Sequence, residues 1–578
     1  MRFRLDIQGL RAFAVFIVLF FHLGFLNKGY LGVDIFFVIS GFLITGIIYG
    51  DFINDQYSVK YFYKKRIKRI LPLVLIVEMV ALVLGVFFML PDDMENLAQS
   101  VIATNFFSNN ILQYITTGNY WDVVNEYKPL LHTWSLGIEE QYYLFFPLIF
   151  LLIRKRKDIL LNILIVLTIC SLVYYIYSNS QAYKFYMLPT RFFQISIGGV
   201  SALIIHKFKK NNIISDISFV ILLLIIFVDV SVSEGTLAIL SVILTCLFII
   251  FNEERSIVNR ILTMRPIVFL GTISFSIYMW HQIVISFYRY IISNEISIFS
   301  TILLILLIIL LSIGSYYFIE EFFRREKNIS FTKTLLVLFS LFVVTNATAL
   351  YIYYKGGVVK DYPELNIYKN NAIKGVNSLY NDSIYSLDRD FSGVGKLNVL
   401  IIGDSYGRDW ANVLLESSYK DKLAISYIDK IERLGDISRR LKDADVVFVS
   451  YMTGISLDSY KKLFKSNDEV GKVWILGTKN FGINNGVFYN NIKDSAYCSQ
   501  RASIQLFFND VNIEQNKIWK DRYINILEVL SDTNNTVPVF TNNCKFISQD
   551  CRHLTKDGAI WLSGLIDLEK FLKKLKIY

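Results

Sequence analysis

Runs of about 18 to 24 apolar residues recur along the first 354 positions and then stop. At roughly 20 residues per membrane crossing, they predict spans near 7–26, 31–50, 70–90, 132–153, 159–177, 189–206, 214–231, 236–252, 267–290, 298–319 and 332–354, about eleven in all. The first run has no small-residue cleavage site and ten more follow it, so it reads as a span and not as a removable leader. Residues 355–396 are polar and rich in Asn and Tyr, the pattern of a linker or extension. From 397 onward, short apolar runs alternate with amphipathic stretches. Strands are expected at 398–402, 424–427, 446–450, 472–476 and 537–541, and helices at 408–419, 430–443, 456–466, 518–531 and 556–574. That alternation argues for a five-stranded parallel sheet covered on both faces. The chain therefore divides into a polytopic α-helical membrane bundle at 1–330, a final transmembrane helix at 331–354, the extension at 355–396 and an α/β domain at 397–578.

Composition narrows the class. With 54% hydrophobic and only 19% charged residues, an ordinary soluble enzyme is excluded. Scarce Gly, Pro and Cys exclude collagenous, low-complexity and disulfide-framework chains. A net charge of +10 would point a soluble protein toward nucleic acid, but its placement says otherwise. Lys60, Lys64, Lys65, Arg66, Lys68 and Arg69 form one cluster and Arg154, Lys155, Arg156 and Lys157 a second. Further clusters are Lys207, Lys209 and Lys210, then Arg255, Arg260 and Arg265, then Arg324, Arg325, Lys327 and Lys333. The alternate loops hold little beyond Lys28, Lys128, Lys184 and Arg289. Under the positive-inside rule the N-terminus is cytoplasmic, and an odd number of spans puts everything after 354 outside. Membrane lipids, and not nucleic acid, are the expected surroundings.

Two segments of the α/β domain carry chemistry. The first strand runs into Gly403-Asp404-Ser405-Tyr406-Gly407, which exposes a serine at the carboxyl edge of the sheet, where open α/β sheets place their sites. Near the C-terminus, Asp550 and His553 are three apart and can be presented from one loop, the His as base and the Asp as its orienter. Ser405 could also serve only as a helix N-cap, and Gly403-x-Ser405-x-Gly407 also fits the nucleophile elbow of α/β-hydrolases. In that fold several strands precede the serine, and acid and base sit on separate loops. Cys498, Cys544 and Cys551 fall in the exported domain, where a bridge can form. Cys544–Cys551 would brace the His553 loop, but three cysteines leave the pairing open. No metal-ligand spacing occurs.

Ionisable residues within spans are expensive and so informative. Arg11 and His22 are eleven positions apart on the first helix, sharing a face at about 16 Å. Asp34, Ser40, His132, Glu139, Glu140, Arg191 and His281 add to them. So many polar groups in one bundle are expected to line a cavity, since each facing lipid would cost several kcal/mol.

These motifs resemble two families. LDIQGLRA at 5–12 with His22, GVDIFFVISGFLI at 32–44, KRIKRILP at 65–72, HTWSLGIEEQYYL at 132–144 and SFSIYMWH at 274–281 resemble the membrane acyltransferase-3 family over about 1–325. GDSYG at 403–407 with DxxH at 550–553 resembles the SGNH (GDSL-like) hydrolase and acyltransferase family. The fused layout is similar to that of bacterial O-antigen (lipopolysaccharide) and peptidoglycan O-acetyltransferases. The resemblance implies acetyl-CoA as a cytoplasmic donor substrate and no bound cofactor. It implies Arg11 and His22 as the family's Arg–His pair, with Arg66 and Arg69 holding the CoA phosphates, for which arginine suits. Lys65 and Lys68 stand where relatives often carry Arg. It further implies acyl transfer through Ser405, His553 and Asp550, outside the inner membrane, to a lipid-linked or surface polysaccharide. The SGNH oxyanion-hole Asn has no counterpart in Ser450–Gly454, so Gly435 and Asn480 become the candidates beside the Ser405 amide. An external esterase, a transporting bundle and an inert glycan-binding domain remain the competing readings.

Overall fold

The computed structural model describes residues 4–116, 123–152, 159–229, 231–325, 328–371, 376–392, 395–430, 433–464 and 471–566. The expected basic cluster Arg154–Lys157, Lys327, positions 431–432 and 465–466 and the helix tail beyond 566 lie outside the described residues. The fold separates into two compact units. One comprises Met1–Phe87, Asn96–Arg289 and Glu295–Tyr351; the other comprises Phe88–Glu95, Tyr290–Asn294 and Ile352–Tyr578.

The first unit is helical. Among the described residues, eight helices are long and apolar enough to cross a membrane, among them Leu5–His22, Leu31–Ile53, Val59–Phe88, Gln181–Lys207 and Phe331–Tyr354. The pair Arg265–Thr272 and Ser274–Ile291, bent by 66°, passes the same test together, as a broken span or a re-entrant loop. Two other expected spans coincide with Thr133–Leu152, which carries Glu139 and Glu140, and with the 16-residue helix Asn212–Phe227. Helices thus stand at all eleven predicted places, while length and hydropathy alone support eight or nine as spans. The chain is a multi-pass membrane protein.

Helices in lipid gain little from the hydrophobic effect against one another, so small residues that let backbones approach carry the packing. A side chain at Gly41 would overlap the Ile195 carbonyl oxygen, and one at Gly198 the Val38 carbonyl oxygen, so Leu31–Ile53 and Leu188–Ile204 meet on reciprocal glycines.

The second unit is α/β. Its main sheet has the order β2-β1-β3-β4-β6, all parallel, from β1 (Leu397–Gly403), β2 (Leu423–Ile428), β3 (Val446–Ser450), β4 (Val473–Leu476) and β6 (Tyr523–Ile524). β1 is central, with Val399–Ile402 fully buried. Apolar layers pack on both faces: Trp410, Val413 and Tyr427 on one, Ile437, Leu441 and Leu463 on the other.

Three expectations are corrected here. The fifth strand of the sheet is the two-residue β6, too short for any periodic signal. The 537–541 run gives instead β7 (Thr536–Pro538), which pairs antiparallel with β5 (Arg501–Ser503). The helix expected at 518–531 begins earlier, as Leu506–Trp519, and a separate turn follows at Ile526–Leu530. The disulfide joins Cys498 to Cys544, tying the β5 side of the domain to the segment after β7, and Cys551 is a buried free thiol.

Candidate functional site

In the α/β unit, β1 ends at Gly403, where any side chain would overlap the Ser450 carbonyl oxygen of neighbouring β3. Glycine lets the two strand ends close up, so the chain turns sharply and Ser405 opens the helix Ser405–Glu416. Asp404 caps that helix. One carboxylate oxygen accepts from Tyr406 N at 2.9 Å and the other from Met452 N at 3.0 Å, fixing the loop after β3 as well. The Ser405 amide, at the first helical position, has no carbonyl one turn back to bind.

His553 is placed by its own short loop. Asp550 Oδ1 accepts from the backbone amides of Arg552 (3.0 Å) and His553 (2.8 Å), and Cys551, between Asp550 and Arg552, takes a left-handed φ of 65°. Asp550 Oδ2 lies 2.6 Å from His553 Nδ1, and His553 Nε2 lies 2.8 Å from Ser405 Oγ. A carboxylate only accepts, so Nδ1 carries the hydrogen and Nε2 presents its lone pair to the serine hydroxyl. Three residues 148 positions apart thus form one unbroken hydrogen-bonded line. Desolvation pushes the Asp550 carboxyl up, but the adjoining His553 charge and the amide donors outweigh it and hold it well below the usual carboxylate range. Desolvation lowers His553, and Asp550 more than restores it, so the imidazole is raised above its ordinary 6.5. The site is open to solvent, with the His553 and Asp550 side chains 30% and 43% exposed.

Asn480 does not serve the oxyanion position. Its amide donates to the carbonyls of Gly482 and Cys551, at 2.9 and 3.4 Å, and its oxygen accepts from Gly482 N and Gln505 N. It braces the His553 loop from beneath. Gly435 has open space around it. The sequence reading also missed Asp409 and Lys479, a buried ion pair at 2.8 Å whose members have no motif spacing to betray them.

The bundle holds two further constellations. A cavity of about 480 Å³ is lined by Arg11, Ser40, Arg66, Arg69, Glu139, Tyr143, Ser135, Tyr278 and Arg324, with Lys64, Lys65 and Lys68. Five predicted residues, Arg11, Ser40, Arg66, Arg69 and Glu139, meet there. Ser40 donates to Glu139 at 2.7 Å, and the Arg66 guanidinium stacks 4.2 Å from the Tyr143 ring centre. Seven cations against one carboxylate make this lining electropositive.

His22, His132 and His281 form the other group: the His281 ring centre is 5.2 Å from each of the other two. All three are buried. His281 Nδ1 lies 2.6 Å from the Tyr278 carbonyl, so it carries the hydrogen and leaves Nε2 as a buried lone pair. Tyr278 packs against both His132 and His281 at 5.3 Å and donates to the His132 carbonyl at 2.9 Å. It also lines the cavity, and so is the wall shared by the basic chamber and the imidazoles. Nothing in the sequence marks that role.

Asp34 and Arg191 meet each other instead of the cavity. They pair at 2.8 Å, buried, and Arg191 Nε donates to the Phe185 carbonyl at 3.0 Å. Glu140, next to Glu139, is not among the cavity's lining residues. Among the described residues no group of His, Cys, Asp and Glu is arranged to hold a metal ion.

Comparison with known proteins bears on the helical unit. Residues 4–321 match the acyltransferase domain model Acyl_transf_3. The O-acetyltransferase OatA of Staphylococcus aureus (strain MRSA252) is 30% identical over 378 residues, covering 59% of this chain and 62% of its own length. The putative O-acetyltransferase SAS0844 of S. aureus (strain MSSA476) is 31% identical over 354 residues, 56% of this chain and 58% of its own. The chain thus spans about three fifths of the length of the curated relatives it matches. No solved structure matches it significantly.

Proposed function

The chain belongs to the acyltransferase family whose model it matches, and from that premise we propose that it is a membrane O-acetyltransferase with two working centres. The bundle takes acetyl from cytoplasmic acetyl-CoA and passes it outward. The α/β domain, lying outside the inner membrane, receives it on Ser405 and gives it to a sugar hydroxyl of a cell-surface glycan.

For the bundle, the supporting observation is the electropositive chamber. Arg11, Arg66 and Arg69 suit the phosphates of CoA through forked, charge-assisted hydrogen bonds. His22, within the imidazole group, is the residue proposed to act in acetyl movement, with His281 beside it holding a free ring nitrogen.

The observation that carries the reading of the α/β domain is the Ser405–His553–Asp550 line at 2.8 and 2.6 Å. In the first step Ser405 Oγ attacks the acyl carbonyl while its proton passes to His553 Nε2. The oxyanion lies by the Ser405 amide and the positive end of its helix. Collapse forms the acetyl-serine, and His553 returns the proton to the leaving group. In the second step a sugar hydroxyl gives its proton to His553 and attacks the ester, regenerating Ser405. Dividing one transfer into two lowers each barrier.

The first acceptor proposed is O-antigen sugar. The second is cell-wall peptidoglycan, another glycan that an O-acetyltransferase related to those of S. aureus could modify. The test is Ser405→Ala in the full chain, with acetyl on lipopolysaccharide and peptidoglycan read by mass spectrometry. Loss of acetyl from either glycan is expected and identifies the acceptor. A gain would instead make the domain an esterase, and no change would make it a binding module.

A further inference from the structure

Two buried charges beneath the Ser405 centre have no part in the steps above. Asp409 lies one turn into the helix that Ser405 opens and is 0% exposed; Lys479 follows β4 and is 3% exposed. Their 2.8 Å pair is sealed from water. Burying two opposite charges is costly, and apolar side chains of similar volume often serve stability as well. Their contacts converge on the centre. Asp409 Oδ2 also accepts from Leu554 N at 2.9 Å, the amide next to His553. The Lys479 ammonium sits 3.9 Å from the ring centre of Tyr406, the residue next to Ser405. That ring stands edge-on to the His553 imidazole at 6.3 Å.

We propose that Asp409 and Lys479 are positioning residues of the acyl-transfer centre. The pair fastens the His553 loop to the Ser405 helix, and its two charges act in opposite senses on the proton affinity of His553. Asp409 draws a proton toward His553 and Lys479 repels it, so each offsets the other. Other charged and titratable groups also stand near the base, Asp404 at the start of the Ser405 helix among them. On its own loop they are Asp550 and Arg552. On the Ser405 helix they are Tyr406 and Arg408, the latter 3.9 Å from Asp409 Oδ1. Asp92 acts on the Asp550 end; burial, and then the Asp550 charge, push its carboxyl up to about 7. Asp409 and Lys479 are the buried pair in direct contact, and their two signs can be removed one at a time.

The inference rests on Ser405, His553 and Asp550 being the transfer centre, and the experiment keeps the two claims apart. The full chain, in membranes, is assayed for hydrolysis of p-nitrophenyl acetate across pH. Ser405→Ala comes first: retained Ser405-independent hydrolysis overturns the centre itself. With that centre established, Lys479→Met is expected to move the acid limb of kcat/KM up by about half a pH unit or more, and Asp409→Asn to move it down by a similar amount. The double variant, with no stranded charge, returns the limb to within about 0.2 units of the parent. Where Lys479→Met does not accumulate, Lys479→Gln carries the same expectation. Limbs that stay put, or that move the same way in both single variants, overturn the inference while leaving the centre intact.

Discussion

At the scale of single residues, the proposed reaction makes the state of His553 decide whether Ser405 can react. The imidazole must be neutral to accept the serine proton, and Asp550 raises its proton affinity above the ordinary 6.5. Activity is therefore lost as pH falls through that raised value, and kcat/KM gains its acid limb above 6.5. Asp550 is held so far below the carboxylate range that it stays anionic across the whole window and adds no limb of its own. A pH profile of aryl-acetate hydrolysis by the full chain checks this. A limb below 6.5 would mean that Asp550 does not dominate the charge around the base. The serine and its partners were legible in the sequence because each motif is contiguous, with Gly403–Gly407 on one turn and Asp550–His553 on another. Asp409, Lys479 and Tyr278 were not. Their roles arise only when residues from distant elements meet, and a single Asp, Lys or Tyr has no spacing to distinguish it.

Among the elements, the contact of Leu31–Ile53 with Leu188–Ile204 depends on backbone closeness at Gly41 and Gly198. The two helices also share the buried Asp34–Arg191 pair. Gly41→Val is expected to cost about 1–3 kcal/mol or more, because the added side chain meets a backbone carbonyl that cannot step aside. Gly50→Val in the same helix has open space and serves as the control. Thermal unfolding of the detergent-solubilised proteins measures both; equal midpoints would remove the close-packing argument. Strands β1–β4 were readable as mostly apolar runs bounded by turn residues, since burial on both faces leaves few polar positions such as Ser426. The β6 edge of the sheet was not. β6 is two residues long, while the apolar run after Asn535 resembles a strand wherever it pairs, and local pattern says nothing about partner. Cysteine pairing failed for the same reason: proximity of Cys544 and Cys551 in sequence did not outweigh the fold, which brings Cys544 to Cys498.

For the whole molecule, the charge of +10 is best understood through its distribution. Part of it lines the bundle cavity, where Arg11, Arg66 and Arg69 gather, so the same cations that orient a membrane protein are available to hold an anionic donor. Hydropathy made the eleven helical places legible, while length and hydropathy support eight or nine of them as spans. The bend between Arg265–Thr272 and Ser274–Ile291 was not legible, although it bears directly on where Tyr278 and His281 sit. Under the proposed function, acetyl from acetyl-CoA passes through the bundle onto Ser405 before reaching a glycan. Membrane vesicles carrying the full chain can be given isotope-labelled acetyl-CoA on the cytoplasmic face, without acceptor, and the peptide holding Ser405 mapped by mass spectrometry. Labelled acetyl is expected on Ser405, and none in Ser405→Ala or His22→Ala. Glycan acceptor is then added, and label reaching it from vesicles whose Ser405 has been replaced would contradict that route.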